Sequence, residues 1–417
     1  MKQRRPHALI LGTVWPEPTS SAAGVRVRSD IETLLAHGWH VTFGSSAKDS
    51  PFREALNQLG AQTVSIVEND SAMQDVFHQL RPDLTIFDRF MTEEKFGWQI
   101  REACPDCARV LDTIDLHSLR HARQQVVLAG ADLASVKPVI PSLKDETLLR
   151  ELASIYRCDL SLLLSDAELD ILIGSFAVPS EKVALHPITY ADPPSGFPGF
   201  SDRRHMVSIG NFRHPPNRDA FFFLKEQVWP AIRRDLPDCE LHLYGAYPPK
   251  DIMESSDPDA GFLVKGPCRD QIKTLAAYRV TLAPVRYGAG IKGKISDSWF
   301  AGQPVVTTSI GAEGMGPENA WGGAVTDDIE SLRTAAVRLY THESDWSESV
   351  QRGRAILAAQ FSRARREPLL LSTLSQLLDH LSARRASDSI GSLLWHQNQR
   401  CTEYFSRWIE AKNRPAS

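Results

Sequence analysis

Long hydrophobic runs are absent from this 417-residue sequence, and cysteine is scarce. No apolar segment approaches the roughly 20 residues that cross a bilayer. The apolar stretch at residues 8–12 is also shorter than the about 7–15 residues of a signal-peptide core, so we expect residues 7–14 to form a first strand instead. Six cysteines are too few for a disulfide scaffold, and this predicts a cytoplasmic protein in a reducing compartment.

The net charge of the chain is also small. The chain carries 47 basic and 51 acidic side chains, a formal charge of -4, which argues against a nucleic-acid-binding surface. No G-x-S-x-G elbow or H-E-x-x-H helix is present, which argues against the hydrolases that use them. Cys104 and Cys107 have C-x-x-C spacing without the second pair that a zinc site needs. We expect neither a metal nor a cofactor.

Short apolar runs alternate with amphipathic stretches along most of the chain, which is typical of parallel βαβ units in doubly wound sheets. The segment 186–204, with four prolines and two glycines, breaks this rhythm and is predicted to be a linker. The pattern favours an α/β protein with two Rossmann-like domains in tandem and a helical C-terminal extension. The predicted ranges are 1–185, 205–370 and 371–417.

A glycine-rich loop follows the predicted strand at 280–285 and opens a helix. Gly288, Gly290 and Gly293 let the backbone approach a ligand closely, and the helix start offers unpaired N–H groups. Lys292 and Lys294 add two ammonium groups to the same loop. The pattern predicts a site for a ligand with two or more negative charges, such as a diphosphate.

Three other interpretations of this loop stay open. GAGIKGK has P-loop spacing, but Ile295 stands where a P-loop needs a hydroxyl on Mg²⁺. GAGIKG also matches the dinucleotide fingerprint, with Glu313 about 20 residues further on, although that fingerprint belongs to the first strand of a domain. The third interpretation is a plain turn with solvated lysines.

The segment RYGAGIKGKISDSWFAGQPVVTTSIGAEGM resembles the donor-binding segment of family 4 glycosyltransferases of the GT-B fold. The match is to a subgroup written R-Y/F-GAG-x-KGK. TVWPEPTSSAAGVRVR, LLLSDAELDIL and VSIGNFRHPPNRDA also resemble segments of that family. The resemblance implies a metal-independent, retaining transfer of a sugar from a nucleotide diphosphate to an acceptor hydroxyl.

The resemblance also implies roles for individual residues of the second half. Lys292 and Lys294 would stabilise the departing diphosphate, and Asp297 would hold the ribose. Arg213 would assist at the diphosphate. The backbone at Lys265 and Gly266 would contact the nucleobase.

In the first half, His117 matches a histidine that faces the donor sugar in the family. The alternative is a helix start capped by Asp115 with solvent-facing histidines. Gly24 would let the first loop approach the diphosphate or the acceptor, whereas Ser20 and Ser21 fit helix caps equally well.

The sequence departs from the common family pattern at two places. Most members carry two glutamates across the donor loop, and these align with Ala289 and Asp297, so the first acid is missing. The usual Arg and Lys of the diphosphate clamp align with Asn211 and Pro216. A non-catalytic nucleotide-sugar-binding or regulatory protein therefore stays open as the alternative function.

The expected partners are a nucleotide-sugar donor and a glycan or lipid-linked acceptor, in the assembly of bacterial surface polysaccharide or another glycan. Arg26 and Arg28 fit a solvated helix face better than a site for an anionic acceptor. A stripe of Trp395, Tyr404, Phe405, Trp408 and Ile409 predicts a last helix that packs on the first domain. Peripheral association with the inner face of a membrane is the alternative.

Overall fold

A computed structural model describes residues 4–194 and 196–413 of the chain. Residues 1–3, Ser195 of the predicted linker and residues 414–417 of the predicted extension lie outside the described residues. The chain forms two parallel sheets with the strand orders 3-2-1-4-5-6-7 and 10-9-8-11-12-13. Both orders reverse direction beside their first strand, which places a ligand crevice at the carboxyl ends of the neighbouring strands.

The first lobe contains a seven-stranded sheet with helices on both faces. Its strands are β1 (His7–Gly12), β2 (His40–Ser45), β3 (Gln62–Ser65), β4 (Leu84–Asp88), β5 (Ala108–Asp112), β6 (Leu160–Leu163) and β7 (Val183–Leu185). Its helices are α1 (Ala22–Ala36), α2 (Pro51–Leu59), α3 (Ala72–Leu80), α4 (Phe90–Ala103), α5 (His117–Leu128), α6 (Glu146–Arg157) and α7 (Asp166–Phe176). The inner strands β1, β4, β5 and β6 are buried along their whole length, because helices cover both faces of the sheet.

The second lobe contains a six-stranded sheet. Its strands are β8 (Arg204–Ile209), β9 (Leu241–Tyr244), β10 (Phe262–Gly266), β11 (Tyr278–Ala283), β12 (Val305–Thr307) and β13 (Gly323–Val325). Its helices are α8 (Pro215–Phe223), α9 (Trp229–Asp235), α10 (Lys250–Met253), α11 (Gln271–Leu275), α12 (Gly293–Phe300), α13 (Ser309–Ala312), α14 (Ile329–Thr341) and α15 (Glu343–Ile356). One π-helical turn at 224–228 joins α8 to α9, so the helical segment from Pro215 to Asp235 is continuous but not regular.

Three helices complete the chain: α16 (Arg363–Ser387), α17 (Ser389–Leu394) and α18 (Arg400–Asn413). Leu370, Leu374 and Leu377 of α16 are buried in the core of the first lobe, beside residues of β1 and β4. The chain therefore returns to the first lobe at Arg363. The two Rossmann-like lobes and the helical extension agree with the predicted fold class.

The predicted burial of the last aromatic stripe is wrong for most of its members. Trp395 is buried, and its indole N–H donates to the carbonyl of Arg157 at 2.9 Å. Tyr404, Phe405 and Trp408 of α18 are instead 61%, 61% and 56% exposed. The face of α18 that packs on the first lobe is polar, and Ser406 donates to Asn69 there.

The two lobes are in contact. Leu164 and Ile188 of the first lobe and the linker pack with Ile291 and Ile295 of the second in one buried cluster. Within the described ranges, none of the helices has the length and apolar character that crossing a bilayer requires.

Candidate functional site

A cavity of about 520 Å³ lies between the lobes, at the carboxyl ends of both sheets. Its volume is within the range of pockets that bind small molecules. Five basic side chains and two acidic ones line it, although the whole chain is slightly acidic. The charged lining residues are Arg89, Arg120, Arg213, Lys292, Lys294, Asp115 and Asp297. The cavity therefore suits an anionic ligand.

Lys294 lies on the first turn of α12, where unpaired backbone N–H groups and the helix dipole favour anions. Its Nζ donates to Oδ1 of Asn217 at 2.6 Å, and Asn217 in turn donates to the carbonyl of Asn211. Burial lowers the pKa of Lys294 to about 8, and among the described residues no carboxylate offsets this loss of solvent. An anion in the cavity would supply the missing charge.

Lys292 has a different environment from Lys294. Its Nζ donates to the carbonyl of Gly290 at 2.8 Å. Burial lowers its pKa to about 8, and the nearby negative charges of Glu313 and Asp115 partly oppose that change. Lys292 lines the cavity as predicted, but carboxylates from both lobes already balance its charge.

Gly290 and Gly293 of the donor loop permit close contact between the lobes, while Gly288 and Gly293 line the cavity and Gly290 does not. Gly290 has a φ of +61°, and a Cβ there would lie 3.0 Å from the carbonyl oxygen of Ile114. A Cβ at Gly293 would lie 2.8 Å from Cβ of Ala22, the first residue of α1. Gly288 lines the cavity, and its carbonyl accepts from Arg123. Larger side chains would keep the lobes apart.

Asp297 lines the cavity one turn further along α12. Tyr190 of the linker donates to its Oδ1 at 2.7 Å, and Gln271 donates to Oδ2 at 2.6 Å. Burial raises the pKa of Asp297 to about 7, although the Tyr190 hydrogen bond lowers it. The carboxyl group is fixed in position and can accept hydrogen bonds from a diol.

His117 begins α5 and lines the cavity opposite the donor loop. Its Nε2 lies 3.4 Å from Oδ1 of Asp115, which also pairs with Arg120. Burial lowers the pKa of His117 to about 4, although Asp115 opposes this change, so the imidazole is neutral at pH 7. A neutral ring beside a carboxylate can orient a sugar hydroxyl.

Two buried glutamates, which sequence reasoning did not identify, hold the start of α5. Glu151 accepts from the backbone N–H groups of His117 and Ser118, at 2.6 and 3.1 Å. Glu168 accepts from the N–H of Leu116 at 2.7 Å. The predicted alternative, a cap supplied by Asp115, is therefore wrong.

Ile114, just before this helix, has a φ of +62° and lines the cavity. A β-branched residue in the left-handed region is strained by about 1–3 kcal/mol, and such strain is concentrated at functional sites. Nothing in the sequence DTIDLH marks this conformation, because isoleucine rarely adopts it.

A buried ion pair joins the lobes beside the cavity. Arg123 of α5 donates to both carboxylate oxygens of Glu313, at 2.6 and 2.7 Å, and to the carbonyl of Gly288 at 2.9 Å. Burial raises the pKa of Glu313, but the Arg123 hydrogen bonds and Lys292 keep it below its usual value. The sequence marked neither residue as part of this contact, since they are 190 positions apart.

Arg213 and Gly24 lie toward the first-lobe side of the site. The guanidinium of Arg213 stacks over the ring of Tyr247 at 3.6 Å and lines the main cavity. Gly24 lines an adjoining cavity of about 170 Å³, and a Cβ there would lie 2.5 Å from the backbone of Glu17. Ser21 caps α1, as one of the two interpretations predicted.

The remaining predicted residues lie outside the cavity lining. Lys265 is exposed at the end of β10, and the carbonyl of Gly266 accepts from the N–H of Gly245. Pro267 and Cys268, which follow them directly, do line the cavity. Arg26 and Arg28 of α1 were predicted to lie on a solvent-exposed helix face. This is correct for Arg28 and wrong for Arg26, which is buried and paired with Asp112 at 2.7 Å.

Residues 203–342, which contain most of the second sheet and its donor loop, match the family model for glycosyl transferases group 1. The second lobe therefore carries a domain of that family. The match covers the loop on which the sequence-based resemblance depended, but not the R-Y-GAG-x-KGK subgroup, which stays a prediction. A search of curated proteins finds no match.

Solved glycosyltransferase structures share the architecture of the whole chain. Anabaena HepE in complex with UDP and glucose has a TM-score of 0.66 and 13% identity, covering 88% of this chain and 99% of its own. Sucrose-phosphate synthase of Thermosynechococcus elongatus has a TM-score of 0.63 and 17% identity, covering 90% of this chain and 100% of its own. The pneumococcal O-GlcNAc transferase GtfA in complex with UDP and GlcNAc has a TM-score of 0.66 and 10% identity, covering 90% of this chain and 100% of its own. At these identities the similarity shows the fold, which is GT-B.

Proposed function

We propose that this protein is a metal-independent, retaining glycosyltransferase that moves a sugar from a nucleotide diphosphate to an acceptor hydroxyl. The observation that carries the proposal is Lys294 at the start of α12, in a cavity of net positive lining. Its ammonium group has lost solvent and has no acidic partner in the part of the chain that the structure describes. The group 1 domain and the GT-B fold support the same conclusion.

In the proposed reaction, each side of the cavity has its own task. The acceptor oxygen forms a bond to the anomeric carbon as that carbon's bond to the diphosphate breaks, and the hydroxyl proton passes to the departing phosphate. Lys294, Lys292 and the N–H groups of α12 stabilise the charge that develops on the leaving group. Asp297 accepts from the ribose hydroxyls, and neutral His117 orients the sugar from the opposite lobe.

UDP-sugars are the first donors to test, because two of the similar structures hold UDP. We expect Lys294→Ala to lower kcat for sugar release or transfer by about 10²–10³, the range measured when one oxyanion-stabilising donor is removed. Lys250→Ala is the control: its side chain is 88% exposed on the same lobe and outside the cavity. Equal rates for Lys294→Ala and the control would refute the assignment.

A panel of UDP-sugars also distinguishes a glycosyltransferase from a non-catalytic nucleotide-sugar-binding protein. Ala289 and Asn211 replace residues that most family members use, which is the observation that favours a non-catalytic binding protein. UDP-sugar binding in a thermal-shift assay, without sugar release or transfer to any acceptor, would establish that alternative.

We propose that the acceptor is a glycan or a lipid-linked molecule, as in surface polysaccharide assembly. We further propose that the protein is cytoplasmic and binds this acceptor at a membrane surface. Tyr404, Phe405 and Trp408 form an exposed aromatic stripe on α18, and the ammonium group of Lys412 lies 5.2 Å from the Trp408 ring. Glu403 on the same helix is turned inward, with only 15% of its side chain exposed. An aromatic face edged by cations suits anionic lipid headgroups.

Vesicle sedimentation tests this stripe. We expect the protein to bind vesicles of mixed phosphatidylglycerol and phosphatidylcholine, and Phe405→Ser/Trp408→Ser to abolish that binding. Leu369→Ser, which changes a 57% exposed leucine of α16, is the matched control. Absence of vesicle binding, or a dimer in solution that the double substitution dissociates, would refute membrane association.

A further inference from the structure

One carboxyl oxygen of Glu168 contacts both lobes. Glu168 lies on α7 with its side chain fully buried. Its Oε1 accepts from the N–H of Leu116, which precedes α5, at 2.7 Å, and from the N–H of Gly290 in the donor loop at 3.0 Å. A single atom therefore joins the segment that carries His117 to the loop that carries Lys292 and Lys294.

Capping of α5 alone does not account for this arrangement. Glu151 already accepts from the next two N–H groups of the same helix and makes its hydrogen bonds within the first lobe. Of these two glutamates, Glu168 is the one that also contacts the second lobe. Because the N–H of Gly290 is buried, leaving it without an acceptor in the closed form would be unfavourable.

The bridged glycine is next to the position where the sequence departs from the family pattern. Ala289 has no carboxyl group to offer to the donor loop, and Glu168 brings one to the neighbouring residue from the other lobe. Its second oxygen, Oε2, is buried and has no hydrogen-bond partner within residues 4–194 and 196–413. Burial, together with the charge of Asp115, raises the pKa of Glu168 to about 8, so the group is largely protonated at pH 7.

We propose that Glu168 is a positioning residue for the transfer reaction, which aligns the donor loop with the His117 segment when the lobes close. The proposal rests on the proposed function for its catalytic consequence, but the alignment itself is a property of the fold. Losing the bridge lowers the fraction of molecules in the competent closed form, and apparent donor affinity falls by the same factor.

Hydrogen exchange followed by mass spectrometry tests the alignment without any substrate. In Glu168→Ala we expect peptides that contain residues 288–294 to exchange about tenfold faster than in the unsubstituted protein, because the N–H of Gly290 loses its acceptor. Glu168→Gln should keep the protection, since its amide oxygen can accept both hydrogen bonds. Glu151→Ala should speed exchange at residues 117–118 and leave the donor loop unchanged.

Kinetics with an active UDP-sugar then test the consequence. We expect Glu168→Ala to raise the donor KM about tenfold and to lower kcat, with Glu168→Gln within about threefold of the unsubstituted enzyme. Glu151→Ala should change kcat with little change in the donor KM. If Glu168→Ala does not fold, Glu168→Met, which has similar size and no strong acceptor, takes its place.

Two results would overturn the inference. One is unchanged exchange of the donor loop in Glu168→Ala and Glu168→Met. The other is an equal loss of donor-loop protection in Glu151→Ala, which would make both glutamates supports of α5 only. Failure of every nucleotide sugar to react would refute the proposed function, while the exchange experiment would still decide the role of Glu168.

Discussion

At the scale of single residues, the two lysines of the donor loop differ in how their charge is balanced. Lys292 has the carboxylates of Glu313 and Asp115 nearby, whereas within the described residues the ammonium group of Lys294 donates only to the side-chain oxygen of Asn217. A bound diphosphate therefore gains more from Lys294, which has lost solvent without gaining a counter-charge. The sequence predicted both lysines, but it could not rank them.

The pH dependence of nucleotide affinity follows from Lys294. Its pKa in the free protein is about 8, so the ammonium group is present below pH 8 and is lost as pH rises above it. We expect the association constant for UDP to fall as pH rises above 8, by up to about tenfold per pH unit for the loss of the Lys294 proton. Calorimetric titration at several pH values measures this. Lys294→Arg should make the decline shallower, because Lys292, whose pKa is also about 8, still loses its charge in this range. An unchanged decline would exclude Lys294 as a source.

At the scale of elements, the approach of α12 to α1 depends on the absence of one methyl group. Gly293 begins α12, and a Cβ there would meet Cβ of Ala22 at 2.8 Å. Two carbon atoms require about 3.5–4.0 Å, so the lobes would have to separate.

Gly293→Ala should therefore lower donor turnover by about tenfold or more while leaving the Tm within a few degrees, because the clash lies between lobes and not within one core. Ala22→Gly/Gly293→Ala removes the opposing methyl group and should restore most of the turnover. Steady-state kinetics and thermal unfolding of both variants measure these effects. A double variant as slow as Gly293→Ala would show that the clash is not the cause.

The C-terminal helix shows what an element's sequence leaves undecided. The spacing of Trp395, Tyr404, Phe405 and Trp408 indicated a helix with an aromatic face, and α18 has one. The prediction that this face is buried is wrong, because the first lobe offers α18 polar partners such as Asn69 and Glu102. Periodicity defines a face, whereas the partner surface decides which face is covered.

At the scale of the whole molecule, closure of the two lobes depends on charges that meet only across the cleft. The pair between Arg123 and Glu313 is buried, whereas the pair between Lys137 and Glu318 is 44% and 58% exposed. Water screens the exposed pair, so it contributes little, and the buried pair makes two short hydrogen bonds in a medium of low polarity.

We expect Arg123→Ala to open the molecule, because Glu313 would otherwise stay buried without its partner. Small-angle scattering should show a larger radius of gyration, and UDP affinity should fall about tenfold or more. Lys137→Ala is the matched control and should change neither quantity beyond about twofold. An unchanged radius in Arg123→Ala, with normal affinity, would contradict a role in closure.

Local patterns in the sequence predict the two doubly wound lobes, the glycine-rich donor loop and several of the residues that line the cavity. These features depend on local periodicity and on residue types at short spacing, which the chain displays directly. Which groups meet across the cleft depends on the folded arrangement of the two lobes. The contact between Glu168 and Gly290 joins residues 122 positions apart, and Arg123 reaches Glu313 over 190. Whether a carboxyl group loses its water, and which cation or N–H group replaces that water, depends on how the lobes lie against each other, and no local pattern encodes that arrangement.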